Sequence, residues 1–176
     1  VDLTTHARQE RSETPFAAMP NGLLWGGQIP FEVGPRVATA TAREPRLWQI
    51  PVGAAVTALH FLHATSRPER VVDHLYDQQG VLPRQVGRVT VYYADGSTTA
   101  MPLIYRQNIT DWNSKLGIGE GDLVWQGRRG DGALVTACAT EWRNPSPEKP
   151  VLAVDVERLG DAVDLYVLAA TAQLAR

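Results

Sequence analysis

The chain has 176 residues, a net charge of −2 and a single cysteine. That length suits one domain with a large core, and one thiol excludes an intrachain disulfide. Its basic residues are scattered rather than clustered as a phosphate backbone requires, and no apolar run approaches the ~20 residues of a membrane span, so neither nucleic acid nor membrane is expected as a partner.

In chain order, Val1 to Thr14 is polar and lacks periodicity, so it reads as a tail or linker before a domain at residues 15–176. No signal peptide opens the chain, and a start at Val1 rather than Met reads as a mature or excised segment. The expected location is extracellular or periplasmic. From Pro15 onward, short β-favouring runs are separated by Pro, Gly, Asn and Asp. They are Leu23–Trp25, Phe31–Val33, Arg36–Ala40, Arg46–Ile50, Val56–Ala64, Gly87–Tyr93, Ser97–Tyr105, Asp122–Gln126, Leu134–Trp142, Val151–Leu159 and Asp164–Thr171. Many short strands with turn signals between them predict an all-β sandwich or barrel. Cys138, inside Leu134–Thr140, is expected as a buried, inert thiol.

One stretch breaks the pattern. Ser66-Arg67-Pro68-Glu69 fits a capping box with proline in the first turn, and Val71, Val72, Leu75 and Tyr76 follow on one helical face. The spacing predicts a short inserted helix over Pro68–Gln78, covering a sheet edge or barrel end. The clearest local signal lies just beyond it. Val89, Val91 and Tyr93 alternate with Arg88, Thr90 and Tyr92, then Asp95-Gly96 interrupts and Ser97–Tyr105 resumes. Two such runs joined through Asp-Gly predict a hairpin with the valines on one face.

A resemblance rests on the order of several motifs. Gly26–Val33 and Ile50-Pro51-Val52 are followed by Leu59–Ala64 and Val91–Gly96, then by Asn108–Trp112 and Thr140–Pro145. Over roughly Phe16–Ala172 the chain resembles the galactose-binding-like jelly-roll domains appended to bacterial glycoside hydrolases and other multidomain surface proteins. The resemblance implies an antiparallel β-sandwich with a non-catalytic carbohydrate-binding or scaffolding role. It implies a parent chain carrying a catalytic or surface domain, and it brings no settled set of ligand residues. The insertion Ser66–Pro83 departs from the compact pattern.

Sugar rings present apolar C–H faces to aromatic side chains and hydroxyls to amides and charges. Trp112 beside Asn108 and Asp111, and Trp142 beside Arg143 and Asn144, supply that mixture twice, with Tyr105 and Arg106 leading into the first loop. These residues form the expected site for a polysaccharide or oligosaccharide, and the two loops are expected to adjoin or to line one rim of the sandwich. The competing expectation makes each tryptophan a half-buried lid. Trp48 and Trp125, inside apolar strands, are expected in the core, and Trp25 fits either role.

Other chemistries have weaker signals. His60 and His63, three apart on a strand, face opposite ways, and His74 would be their nearest partner, so a zinc site is not expected. A polysaccharide lyase could draw on His60, Tyr105, Arg106 and Gln107, and a glycosidase on Asp111, Glu120, Asp122 or Glu141. Neither shows its characteristic pattern, and no GxSxG, HExxH or phosphate-binding glycine loop is present. The expectation is therefore a non-enzyme without a cofactor, the alternatives being a ligand-free interdomain module or a sandwich-fold lyase. Asn108-Ile109-Thr110 matches a glycosylation acceptor, and Arg129-Gly130-Asp131 reads better as a hairpin turn than as an adhesion motif. Sandwiches of the resembled class often hold structural calcium, for which Asp155 and Glu157 share a strand face; solvated surface charge is the simpler reading.

Overall fold

The computed structural model describes residues 1–66, 85–115, 118–159 and 163–175. Its strands are β1 (Gln9–Glu10), β2 (Gly22–Gly26), β3 (Ile29–Val33), β4 (Arg36–Ala40), β5 (Arg46–Thr65) and β6 (Gln85–Tyr93), then β7 (Thr98–Ile104), β8 (Asp122–Arg128), β9 (Leu134–Arg143), β10 (Pro150–Arg158) and β11 (Leu165–Leu174). Among the described residues every strand ladder is antiparallel. The all-β sandwich arrangement predicted by the alternation is present.

Two layers share one long strand. β7, β6, β10 and the first half of β5 form layer one; β1, β4, β11, the second half of β5, β9 and β8 form layer two. Residues of β5 up to Ala55 pair with β10, whereas those from Val56 pair with β11 and, over Ala58–His63, with β9. The sequence shows two runs here because Pro51 and Gly53 interrupt the apolar pattern. The chain turns the corner between layers without ending the strand, as strands that switch sheets do. The β6–β7 hairpin forms as expected. Val89, Val91 and Tyr93 enter the inter-layer core, and the Ser97 amide donates to Asp95 Oδ1 at 2.9 Å across the turn.

Where the β2–β3 hairpin covers it, layer two is buried on both faces, and that explains the near-continuous apolar runs of β5, β9 and β11. On β5, Leu59 and Phe61 join the inter-layer core while Leu62 and Ala64 join a second one on the outer face. The β2–β3 hairpin, with Phe16 and Met19, covers this second core; Phe16 meets the Tyr166 ring edge-on at 5.6 Å between centroids. Burying each such side chain stabilises by roughly 1.5–3 kcal/mol. Cys138 is buried and unpaired in a disulfide, and burial pushes its thiol up to about 11, as an inert thiol requires.

Three expectations change. The segment Val1–Thr14, read as a tail or linker, is tied to the body: Gln9 and Glu10 pair with Val37 and Arg36. Nearly buried Arg11 donates to the Pro20 carbonyl at 3.0 Å and to Asn21 Oδ1 at 2.6 Å. Val1 and Leu3 also pack against the inter-layer core, two isolated apolar residues with no periodicity to report them. Trp48, expected in the core, is 56% exposed. Leu47 pairs with Val156 and Ile50 with Val154, so Trp48 and Gln49 together oppose Asp155 in a β-bulge. The extra residue lets Leu47 and Ile50 both point inward and leaves Trp48 outside. Trp125 is half-buried against the second core, and Trp25 is exposed. The helix expected over Pro68–Gln78 lies outside the described residues.

Candidate functional site

The aromatic and amide loops chosen from the sequence are built mainly as structure. After β7 the chain crosses the end of the sandwich, donating from the Trp112 amide to the Thr65 carbonyl at 2.9 Å and accepting from the Thr136 amide at 2.7 Å. Asn108 is 5% exposed, and both ends of its amide are used: Oδ1 accepts from the Ile104 amide at 2.7 Å, and Nδ2 donates to the Pro102 carbonyl at 2.9 Å. The Tyr105 hydroxyl donates to Asp111 Oδ2 at 3.1 Å, both groups being buried. Arg106 lies over the Tyr105 ring, and Arg129 over Trp112, which is half-buried against the second core.

The second loop divides. Trp142 is a member of the inter-layer core, so it serves as a core residue rather than as a platform. Asn144 accepts from the Tyr93 hydroxyl at 2.6 Å and donates to the Val56 carbonyl at 2.8 Å. Arg143 alone of these three is exposed. The two loops do adjoin: Asn108, Trp142 and Arg143 border one small cavity of about 310 Å3.

That cavity shares Glu120, Thr140, Glu141 and Arg143 with a larger open groove of about 1170 Å3 on the outer face of layer two. Pairing across three strands builds its floor. His60 and Glu141 form one row, and Gln173, Ala58 and Arg143 the next. Because all these positions have the same parity, the side chains share the outer face. The turn between β2 and β3, with Gln28 at its tip, and the loop Glu120–Asp122 form the walls. Gly26 permits this: a Cβ there would come within 2.8 Å of Val124 Cγ2, so a larger residue would lift the hairpin from β8.

Within the groove, Arg143 Nε donates to Glu141 Oε1 at 2.7 Å, and Gln107 Nε2 donates to Glu120 Oε1 at 2.7 Å. The His60 ring is 7% exposed and its Nε2 has no protein partner. An amide, an imidazole, three carboxylates and a guanidinium thus converge in one concavity. The side chains of Gln28, Glu120, Asp122, Glu141 and Arg143 can donate to and accept from hydroxyl groups on several sides. In sequence His60, Glu120, Asp122 and Glu141 stand out only as isolated residues. Their convergence depends on strand register, which no local pattern reports.

The remaining expectations sort by face. His60 lines the groove while His63 points inward, its Nε2 3.0 Å from the Asn108 carbonyl, which also accepts from the Thr140 hydroxyl. This acceptor requires the Nε2–H tautomer. The lyase set does not assemble, because His60 faces outward and Tyr105 lies in the inter-layer core. Glu157, a candidate calcium ligand, instead accepts from Arg46 at 2.6 Å and Arg88 at 2.5 Å. Asp155 accepts from the Gln49 amide at 2.6 Å and the Tyr92 hydroxyl at 2.8 Å. Among the described residues no group of three or more His, Cys, Asp or Glu converges as a metal site. Arg129–Asp131 forms the β8–β9 turn, with the Ala133 amide donating to Asp131 Oδ1 at 3.0 Å. No protein-family model, curated protein or solved structure matches the chain.

Proposed function

We propose that this domain is a non-catalytic carbohydrate-binding module, and that the groove on layer two receives a segment of a polysaccharide. The observation that carries the reading is the convergence of Gln28, His60, Glu120, Asp122, Glu141 and Arg143 in one open concavity. Ligand sites of small molecules occupy ~300–1,000 Å3, with a few placed polar groups fixing orientation. A groove somewhat larger and open to solvent suits a chain more than a single small molecule. Its polar groups are mixed in sign, which suits neutral hydroxyls better than phosphates. The resemblance to galactose-binding-like domains points the same way, and with it to an exported parent protein in which the module is tethered to a catalytic or surface domain.

The test is affinity electrophoresis through gels containing xylan, galactan, dextran or hydroxyethylcellulose. Wild-type protein is expected to be retarded by at least one of them. The double variant Glu141→Gln, Arg143→Ala, altered only at exposed positions, is expected to lose about tenfold or more in affinity while melting as wild type does. Equal retardation of both proteins would remove the groove from the site. No retardation of either would favour the ligand-free interdomain module.

A further inference from the structure

We infer that the outer face of layer one carries a separate stacking platform for a pyranose ring, with Trp48 as its aromatic surface. This rests on the carbohydrate reading for its ligand class and is independent of the groove for its location. Two observations carry it. The first is the β-bulge that turns Trp48 outward. Gln49 has φ of 50°, a left-handed conformation that is unfavourable for a non-glycine residue and is retained where the surroundings over-determine it. The surroundings here are the Asp155 carboxylate, which holds the Gln49 amide on one oxygen and the Tyr92 hydroxyl on the other. Asp155 is 2% exposed, so a buried carboxylate is committed to shaping a surface feature.

The second observation is how the indole is held. The Arg46 guanidinium lies 4.1 Å from the centroid of the Trp48 ring, and Glu157 grips Arg46 and Arg88 together. One face of the ring is thereby backed by a fixed planar cation, yet the side chain remains 56% exposed. A rigid aromatic face binds with little loss of rotamer freedom. The charges decide the occupant. Two guanidinia and two carboxylates cancel across the patch, so it attracts neither phosphate nor a polycationic peptide. Arg46 stands against the ring, Glu157 of β10 holds Arg46, and across β10 the same layer carries Arg88, Thr90 and Tyr92 of β6. A pyranose matches both parts, setting axial C–H bonds on the indole and equatorial hydroxyls against the polar rim.

The experiment combines binding with a report from the indole itself. Side-chain N–H resonances of 15N-labelled protein are recorded with and without each soluble polysaccharide of the panel, Trp48 being assigned through Trp48→Phe. The Trp48 resonance is expected to shift in wild type and equally in the Glu141→Gln, Arg143→Ala variant. Trp48→Ala is expected to lose about tenfold in affinity, by analogy with stacking of bases on aromatic platforms, and Trp48→Phe to retain most of it. A Trp48 resonance unmoved by every polysaccharide would overturn the platform, as would unchanged retardation of Trp48→Ala. A shift at Trp48 with no effect of the groove variant would keep the platform and discard the groove.

Discussion

Two regions of this molecule use the same residue types to opposite ends. At the β5–β10 bulge, Arg46, Tyr92, Asp155 and Glu157 form a polar network that holds Trp48 out of the core. At the far end of the sandwich, His63, Asn108 and Thr140 form a buried polar network beside Trp142, which is packed into the core. An aromatic flanked by amides and charges is therefore not a site by composition. Its exposure follows from strand parity and from whether a bulge resets it. Where the network is at the surface it can support a platform; where it is buried it closes the sandwich.

The sharpest way to break the comparison is to truncate both tryptophans. Trp142→Ala removes a large ring from the inter-layer core and is expected to cost ~3–5 kcal/mol, read from urea denaturation midpoints at constant slope. A loss below ~1 kcal/mol would mean that Trp142 is a lid after all, and would restore it as a candidate ligand contact.

The next effect belongs to the buried network. Burial holds the His63 ring down at about 4, against which its hydrogen bond to the Asn108 carbonyl is the smaller influence. An unfolded histidine protonates near 6.5, so between pH ~6.5 and ~4 the unfolded chain binds the extra proton. Stability from this group is complete above pH ~6.5 and falls as the pH drops through that window, by ~3 kcal/mol at its lower end. Denaturation at pH 7 and pH 5 is expected to show the decline, and His63→Gln to flatten it. An equally steep decline in the variant would place the titration elsewhere.

The smallest stability effect is expected at the platform. Trp48→Ala leaves a surface position and one cation–π contact, and is expected to cost no more than ~1 kcal/mol. A loss comparable to that of Trp142→Ala would show that the bulge exists to pack the indole rather than to present it.

Local features were legible before any tertiary structure. The alternation of Val89, Val91 and Tyr93, the Asp95-Gly96 turn, the Arg129–Asp131 turn and the buried thiol of Cys138 all follow from chemistry within a few residues. So does the opposite facing of His60 and His63, since strand parity is a period of two. The site was harder to read. The aromatic-amide loops were chosen by composition, and Asn108, Asp111 and Asn144 then proved to spend their polar atoms on the backbone and on tyrosines.

What the sequence by itself determined is the all-β class, the approximate strands and the antiparallel layers, because steric preference and solvent exclusion act on each strand as it stands. What only the tertiary structure decided is which surface is available. The groove needs His60 and Glu141 in register across β5 and β9, and the platform needs an extra residue in β5 opposite Asp155. Register and bulges are set by the balance of pairing among strands distant in sequence, and shifting either by one residue exchanges inside for outside. Trp48 and Trp142 ended on opposite sides of that exchange.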